Sequence, residues 1–164
     1  MKRIWLWLLL PAAAWGLGLL PEKQPDVAEL LPAQALVVSK DGGLYTLRTD
    51  NGLCGSGKSL ASAFRRLSQN APGTVFLGTV GHVIVSGRAE DCIEELAEGT
   101  WLRPAAKLYC AADFVPEASQ AAEVLRAHPG ELTLGQARAA LRRGEAVSPG
   151  GILETEEGGV QLAG

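Results

Sequence analysis

A glycine-rich stretch that leads directly into an amphipathic helix pattern constrains the fold of this chain more than any other feature. The stretch GLCGSGKSLASAFRRLSQ covers Gly52 to Gln69. In its second half, apolar residues recur at the spacing of a single helix face. These residues are Leu60, Ala63, Phe64 and Leu67. We therefore predict a helix over 58–69 whose apolar face packs against a sheet, preceded by a glycine-rich loop over 50–57.

The segment Gly52–Ser59 also matches the phosphate-loop pattern G-x-x-x-x-G-K-[ST]. Glycines in such a loop let backbone N–H groups approach phosphate oxygens, and the following helix directs its positive end at the anion. Lys58 would reach the β- and γ-phosphates, and Ser59 would hold Mg²⁺. One hypothesis is therefore a nucleotide-binding protein that uses Gly52, Gly57, Lys58 and Ser59.

The residues around this motif favour a different interpretation. The strand before a phosphate loop is expected to be parallel, buried and almost wholly apolar, whereas Leu44–Thr49 is half polar and follows a hairpin signal. The later run His82–Val85 continues into Ser86-Gly87 and not into an aspartate that could serve Mg²⁺. In a chain with 20 glycines, such a pattern also arises readily by chance. We prefer a loop that joins a strand to a helix, with Ser56 or Ser59 as the helix N-cap.

Patterns along the chain predict a single α/β (α+β) domain over 34–144. A turn at Asp41-Gly42-Gly43 joins two strand patterns into an antiparallel hairpin that opens the sheet. The predicted strands are 34–39, 44–49, 74–77, 82–85 and 107–112, and the predicted helices are 58–69, 89–97, 117–127 and 134–143. This order predicts a mixed sheet flanked by about four helices. Residues 145–164 are rich in glycine and acidic residues and lack periodicity, so we expect a mostly disordered tail.

The N-terminus has the charge pattern of an exported or membrane-anchored chain. Lys2 and Arg3 precede an uncharged run from Ile4 to Leu20, and acidic residues follow it. This order predicts that the N-terminus stays inside and that the rest of the chain lies outside the cytoplasm. Residues 1–20 are therefore expected to be a signal peptide, cleaved near Ala12-Ala13-Ala14, or an uncleaved membrane anchor. Residues 21–33 are expected to form a linker.

The net charge and the types of side chain limit the ligands and reactions that this chain can serve. A net charge of −3 without a basic patch argues against nucleic-acid binding. Cys92 lies in a predicted helix and Cys110 in a predicted strand, so both are expected to be small buried residues, whereas Cys54 is expected to be exposed. Three cysteines permit one disulfide bond, which would leave one free thiol. His82 and His128 have no cysteine partners at zinc spacing. We expect no metal, no cofactor and no catalytic residue.

Several segments, taken in order over 26–144, resemble a known family. They are VAELLPAQALVVSKDGGLYTL, GKSLASAFRRLSQ, TVFLGTVGHVIVSGRAED, and LYCAAD followed by AAEVLRAHP. Together they resemble the N-terminal domain of the C-subunit (Ger(x)C, GerAC-like) family of spore germinant receptors. In this comparison the phosphate-loop match falls on a Gly/Ser turn before a helix.

The resemblance implies a non-enzymatic extracytoplasmic domain at the spore inner membrane. It implies protein–protein contacts with integral-membrane receptor subunits during germination. Members of the family carry a lipid-modified cysteine after the leader and further C-terminal domains. This chain has no cysteine before Cys54, so we expect a reduced, membrane-anchored relative.

Overall fold

The computed structural model describes residues 30–155 and 159–163, and in these ranges the chain forms nine strands and four α-helices. The strands are β1 (Leu30–Pro32), β2 (Ala35–Asp41), β3 (Leu44–Thr49), β4 (Cys54–Gly57), β5 (Thr74–Phe76), β6 (His82–Ser86), β7 (Lys107–Ala111), β8 (Gly150–Glu154) and β9 (Val160–Leu162). The helices are α1 (Leu60–Asn70), α2 (Ile93–Glu98), α3 (Ala118–Ala127) and α4 (Leu134–Arg142). Two 3₁₀ segments cover Leu77–Thr79 and Gly87–Cys92.

Seven of the strands form one mixed sheet in the order β4-β3-β2-β6-β7-β8-β9. Its centre is parallel, because β2 pairs with β6, β6 with β7, and β7 with β8 in the same direction. Both ends are antiparallel, with β3 and β4 on one side and β9 on the other. The remaining strands β1 and β5 form a separate parallel pair. The carboxyl ends of β2, β6 and β7 therefore meet at the same edge of the sheet.

Helices cover both faces of the sheet. Along β2, Leu36 and Val38 point to the face that carries α1, α2 and α4, whereas Ala35 and Val37 point to the face that carries α3. This alternation of apolar residues on both sides is typical of a parallel strand buried between two helical layers. The first face holds the larger core. The second face holds a smaller core between α3 and strands β2, β6, β7, β8 and β9.

The predicted mixed α/β fold, opened by an antiparallel hairpin, is confirmed. Gly42 and Gly43 make the two-residue turn with φ of 53° and 80°. Positive φ at both positions is the requirement of a type I′ hairpin turn, which glycine meets without steric cost. Residues at the apolar positions predicted for helix α1 are all buried.

The expectation of a loop over 50–57 is wrong for Cys54–Gly57, which form the edge strand β4. Glycine and serine have low intrinsic strand preference, so no local pattern indicates this strand. Pairing with β3 and packing under α1 impose the extended conformation. The linker expected over 21–33 contains β1 at its end, and residues 21–29 lie outside the described ranges.

The expected disordered tail is also wrong for the described part of 145–164. Strand β8 extends the parallel sheet beside β7, and β9 returns antiparallel to it. Ile152 and Val160 are buried against α3 and Tyr109. The domain thus continues past residue 144, because a strand added to an existing sheet edge needs few apolar residues of its own.

Residues 30–155 and 159–163 contain no helix that is long and apolar enough to cross a bilayer. The leader predicted over 1–20 lies outside these residues.

Replacing Ile152 with alanine should destabilise the domain by about 2–4 kcal/mol, because it leaves a cavity beneath α3. The neighbouring Leu153 is 49% exposed on the same strand, so Leu153→Ala should change the free energy of unfolding by less than about 0.5 kcal/mol. Urea unfolding followed by circular dichroism measures both. Equal effects of the two substitutions would contradict the placement of β8 in the sheet.

Candidate functional site

The residues of the phosphate-loop pattern lie in a strand and a helix cap. Gly52 is in the turn after β3, Gly57 ends β4, and Lys58 is exposed between β4 and α1. Ser59 is the N-cap of α1, and its side chain accepts a hydrogen bond from the backbone N–H of Ser62. The prediction that Ser56 or Ser59 caps this helix is confirmed for Ser59.

The backbone of this segment does not converge on one point. The turn between β2 and β3 closes on the pair Asp41↔Leu44, and hydrogen-bonded pairs then alternate along the ladder. The backbone N–H of Thr49 donates to Leu53 across the next ladder at 3.0 Å. By the same alternation Gly55 and Gly57 bond to β3, while the N–H and C=O groups of Cys54 and Ser56 point to the free edge. Successive amides thus face opposite directions, whereas a phosphate loop needs them on one side.

Close packing explains why glycine stands in β4. A Cβ atom placed on Gly55 would lie 2.3 Å from the backbone nitrogen of Leu67 in α1. One on Gly57 would lie 2.7 Å from the backbone nitrogen of Ala63. No side chain fits between this strand and this helix, so the glycines of the motif have a structural role that requires no ligand.

Gly55→Ala should therefore destabilise the domain by about 2–3 kcal/mol, since backbone atoms of α1 would have to move. The adjacent Cys54 is exposed, and Cys54→Ala should cost less than about 0.5 kcal/mol. Thermal unfolding of both variants tests this difference. A Gly55→Ala protein as stable as Cys54→Ala would show that α1 does not sit directly on β4.

A groove formed by described residues lies where the central parallel strands end. It has a volume of about 740 Å³ and opens on the α3 side of the sheet. We call it the carboxyl-end groove; its lining residues include Ser39, Asp41, Leu44, Thr46, Arg48, Ser86, Arg88, Asp113, Phe114 and Val115. Ligands of open α/β sheets bind preferentially at this position, because loops after the strands diverge there and leave a crevice.

The carboxyl-end groove combines apolar and cationic groups. Leu44 and Val115 are two of only four large apolar side chains that are strongly exposed among the described residues. The Arg48 side chain is exposed, and within residues 30–155 and 159–163 it has no carboxylate or hydrogen-bond partner. Arg88 and Asp41 form a loose salt bridge of 3.6 Å at the rim. Arg48 and Val115 also line a smaller cavity of about 340 Å³ that continues the groove.

A cluster of charged and polar side chains lies at the same strand ends, on the face of the sheet opposite to the groove. The ammonium of Lys40 pairs with the carboxylate of Asp91, and the hydroxyl of Tyr45 donates to the same carboxylate at 3.1 Å. The Lys40 side-chain hydrogen bond holds the pKa of Asp91 below its usual value. The ammonium also lies 4.7 Å from the centre of the Tyr45 ring. This cluster ties the 3₁₀ segment after β6 to the hairpin and so fixes one border of the groove.

His82 begins β6, a central strand of the sheet, at the amino ends of the parallel strands. Its Nδ1 atom lies 3.2 Å from the hydroxyl oxygen of Tyr109, which accepts a hydrogen bond of 2.9 Å from the backbone N–H of Gly130. The tyrosine hydroxyl can therefore donate its proton to Nδ1 of a neutral His82. Burial, then the charges of Arg103, Arg126 and Lys107, lower the pKa of His82.

The stability of the domain should fall as pH drops below the ordinary histidine pKa of 6.5. The unfolded chain takes up a proton there that folded His82 resists, so the loss continues until the pH reaches the lowered folded pKa. His82→Asn retains an acceptor but does not titrate. Because the ring is partly exposed, we expect the difference to stay below about 1 kcal/mol.

Urea midpoints at pH 7.5 and pH 5.5 measure this effect, and the shift between them should be smaller for His82→Asn than for the natural chain. His128, the other histidine, is present in both proteins and cancels. An identical shift in both would show that His82 does not carry the pH dependence.

All three cysteines are free. Cys54 is exposed as predicted, and Cys92 is buried as predicted. Burial raises the pKa of the Cys92 thiol to about 12. The pKa of the half-buried Cys110 thiol is also raised to about 12. Burial is the larger cause, and the Glu90 carboxylate that accepts its hydrogen bond adds to it. Among the described residues no group of three or more His, Cys, Asp or Glu side chains could hold a metal ion.

The sequence did not indicate the carboxyl-end groove as a site. The half-polar pattern of Leu44–Thr49 predicted only a strand with Leu44, Thr46 and Arg48 on one face. The segment Ala112–Val115, which forms the opposite wall, lies far away along the chain and carries no recognisable motif.

Comparison with protein-family models, with curated proteins and with solved structures finds no match to this chain.

Proposed function

We propose that this protein is a non-enzymatic, membrane-anchored or exported domain that acts through protein–protein contacts. Its cellular role would be in spore germination or sporulation, beside integral-membrane receptor subunits. The proposal draws on the N-terminal leader pattern and on the ordered resemblance to the N-terminal domain of germinant-receptor C subunits. It places the domain on the extracytoplasmic face of the cell or spore inner membrane.

The observation that carries the proposal is the composition of the carboxyl-end groove. Leu44 and Val115 expose apolar surface in this groove, and Arg48 lines the same groove without a carboxylate partner among the described residues. Apolar surface exposed next to polar groups is typical of protein-interaction sites. An arginine at such a surface supplies five donors and strong charge complementarity. We infer that the groove receives an apolar segment of a partner that also carries a carboxylate.

The alternative is a phosphate-loop nucleotide-binding protein that uses residues 52–59. The alternating directions of the amides in β4 and the buried position of Gly57 give it no support. Calorimetric titration of the full chain in detergent with millimolar Mg-ATP tests it directly. Measurable binding that disappears in Lys58→Ala would revive this alternative.

A photo-crosslinking amino acid at position 115 should capture a membrane protein in spore membranes of the native host. The matched control is the same amino acid at position 153, because Val115 and Leu153 are exposed to similar extents, 46% and 49%. Arg48→Glu should lower the yield at position 115 roughly tenfold, a loss of about 1.4 kcal/mol of binding energy.

Fractionation of the same host locates the chain in vegetative membranes, spore membranes or medium. We expect enrichment in spore membranes. Recovery mainly from growing cells or medium, or equal crosslinking from positions 115 and 153, would contradict the proposal.

A further inference from the structure

We propose that the free edge of β4 binds an extended, acidic peptide segment, which adds to the sheet as a further strand. The inference concerns a surface other than the carboxyl-end groove and does not depend on the function proposed above. It gives a role to the segment that carries the phosphate-loop pattern.

The backbone of β4 presents unpaired groups to its free side. Cys54 and Ser56 point their N–H and C=O groups away from β3, as the ladder alternation requires. The side-chain amide of Asn70 donates to the carbonyl of Cys54 at 3.1 Å. Within the described part of the chain, the amides of Cys54 and Ser56 and the carbonyl of Ser56 have no backbone partner. An incoming strand would meet two donors and one acceptor at the spacing of a ladder.

Helix α1 lines this free edge with positive charge. Ser62 and Asn70 both contact β4, since Ser62 lies against Gly57 and Asn70 bonds to Cys54. Arg66 is four residues from each, so it lies on the same side of the helix between them. Lys58 follows directly after β4. Both cations are exposed, and in residues 30–155 and 159–163 neither has a salt bridge or a side-chain hydrogen bond.

The charge along the edge is of one sign. From Cys54 to Asn70 the chain contains Lys58, Arg65 and Arg66 and no acidic residue. A strand that pairs with β4 would place alternate side chains beside α1. Acidic side chains at these positions would lie near Lys58 and Arg66. This complementarity favours an acidic extended peptide over a neutral or basic one.

Steric access supports an extended partner. The glycines of β4 face α1, and the side chains of Cys54 and Ser56 face the other side of the sheet, where Ser56 bonds to Thr46 at 3.0 Å. No bulky side chain of β4 itself therefore projects along the edge. Lysine near a sheet edge can also serve to prevent strand addition, and the experiment separates that outcome from binding.

The test uses the full chain in detergent and a fluorescein-labelled, capped octapeptide that alternates glutamate and valine. Fluorescence anisotropy measures binding, and hydrogen exchange read at single residues measures protection. We expect binding that weakens with salt and slower exchange of the Cys54 and Ser56 amides. An octapeptide that alternates lysine and valine should bind at least tenfold more weakly.

Two variants separate the contributions. Ser56→Pro removes an outward N–H at an edge position, where proline is tolerated, and should reduce binding at least tenfold. Lys58→Glu/Arg66→Glu should abolish binding of the acidic octapeptide and raise binding of the basic one. The control Arg142→Glu/Arg143→Glu makes the same change of charge at the end of α4 and should bind like the natural chain.

If circular dichroism shows that the Ser56→Pro variant does not fold, the double charge reversal alone tests the proposal. No binding of the acidic octapeptide at millimolar concentration would overturn the proposal and identify the cations as edge protection. Equal binding to the two double variants, or binding without protection at Cys54 and Ser56, would overturn it as well. Because Leu44, Arg48 and Val115 are unchanged throughout, these outcomes are independent of the crosslinking result at position 115.

Discussion

Helix α1 lies directly on strand β4, and much of the architecture at this end of the sheet follows from that contact. Gly55 and Gly57 allow the helix backbone to approach the strand without an intervening side chain. Because these two residues face the helix, Cys54 and Ser56 face the other side of the sheet. The same alternation decides which amides bond to β3 and which remain at the free edge. Cys54–Gly57, whose sequence matches part of an anion-binding loop, therefore form a strand.

The two ends of the parallel strands have different chemical character. At the carboxyl ends, the connections after β2, β6 and β7 diverge and leave the carboxyl-end groove, with Arg48 and exposed apolar groups. At the amino ends, Tyr109 is buried and joins His82 of β6 to Gly130 in the connection between α3 and α4. The groove leaves Arg48 without a hydrogen-bond partner among the described residues, whereas His82, Tyr109 and Gly130 bond to one another. This contrast is why the groove, and not the histidine, is the better candidate for recognition.

Cations without partners recur in the half of the domain around β3, β4 and α1. Arg48 faces the groove, and Lys58 and Arg66 flank the free edge of β4. Elsewhere several cations are engaged: Lys40 with Asp91, Arg143 with Glu145, and Arg138 with backbone carbonyls at the end of α2. Arg48, Lys58 and Arg66 thus remain available to the carboxylates of a partner.

The parts of the fold that depend on neighbours in the chain follow from local sequence patterns. The two glycines specify the hairpin turn between β2 and β3, the apolar spacing specifies the buried face of α1, and Ser59 supplies its cap. Each is a matter of backbone conformation or helix period within a few residues. The strand pattern of residues 44–49 likewise predicted β3.

Segments with weak local patterns take their conformation from tertiary packing. Cys54–Gly57 and Gly150–Glu154 have little strand preference of their own, and each becomes a strand because a sheet edge and a helix are already in place beside it. The carboxyl-end groove brings Arg48 together with Val115, and the pair His82 and Tyr109 joins two strands. Such contacts depend on strand order and register, which arise from the packing of the whole domain and leave no periodic signal in the local sequence.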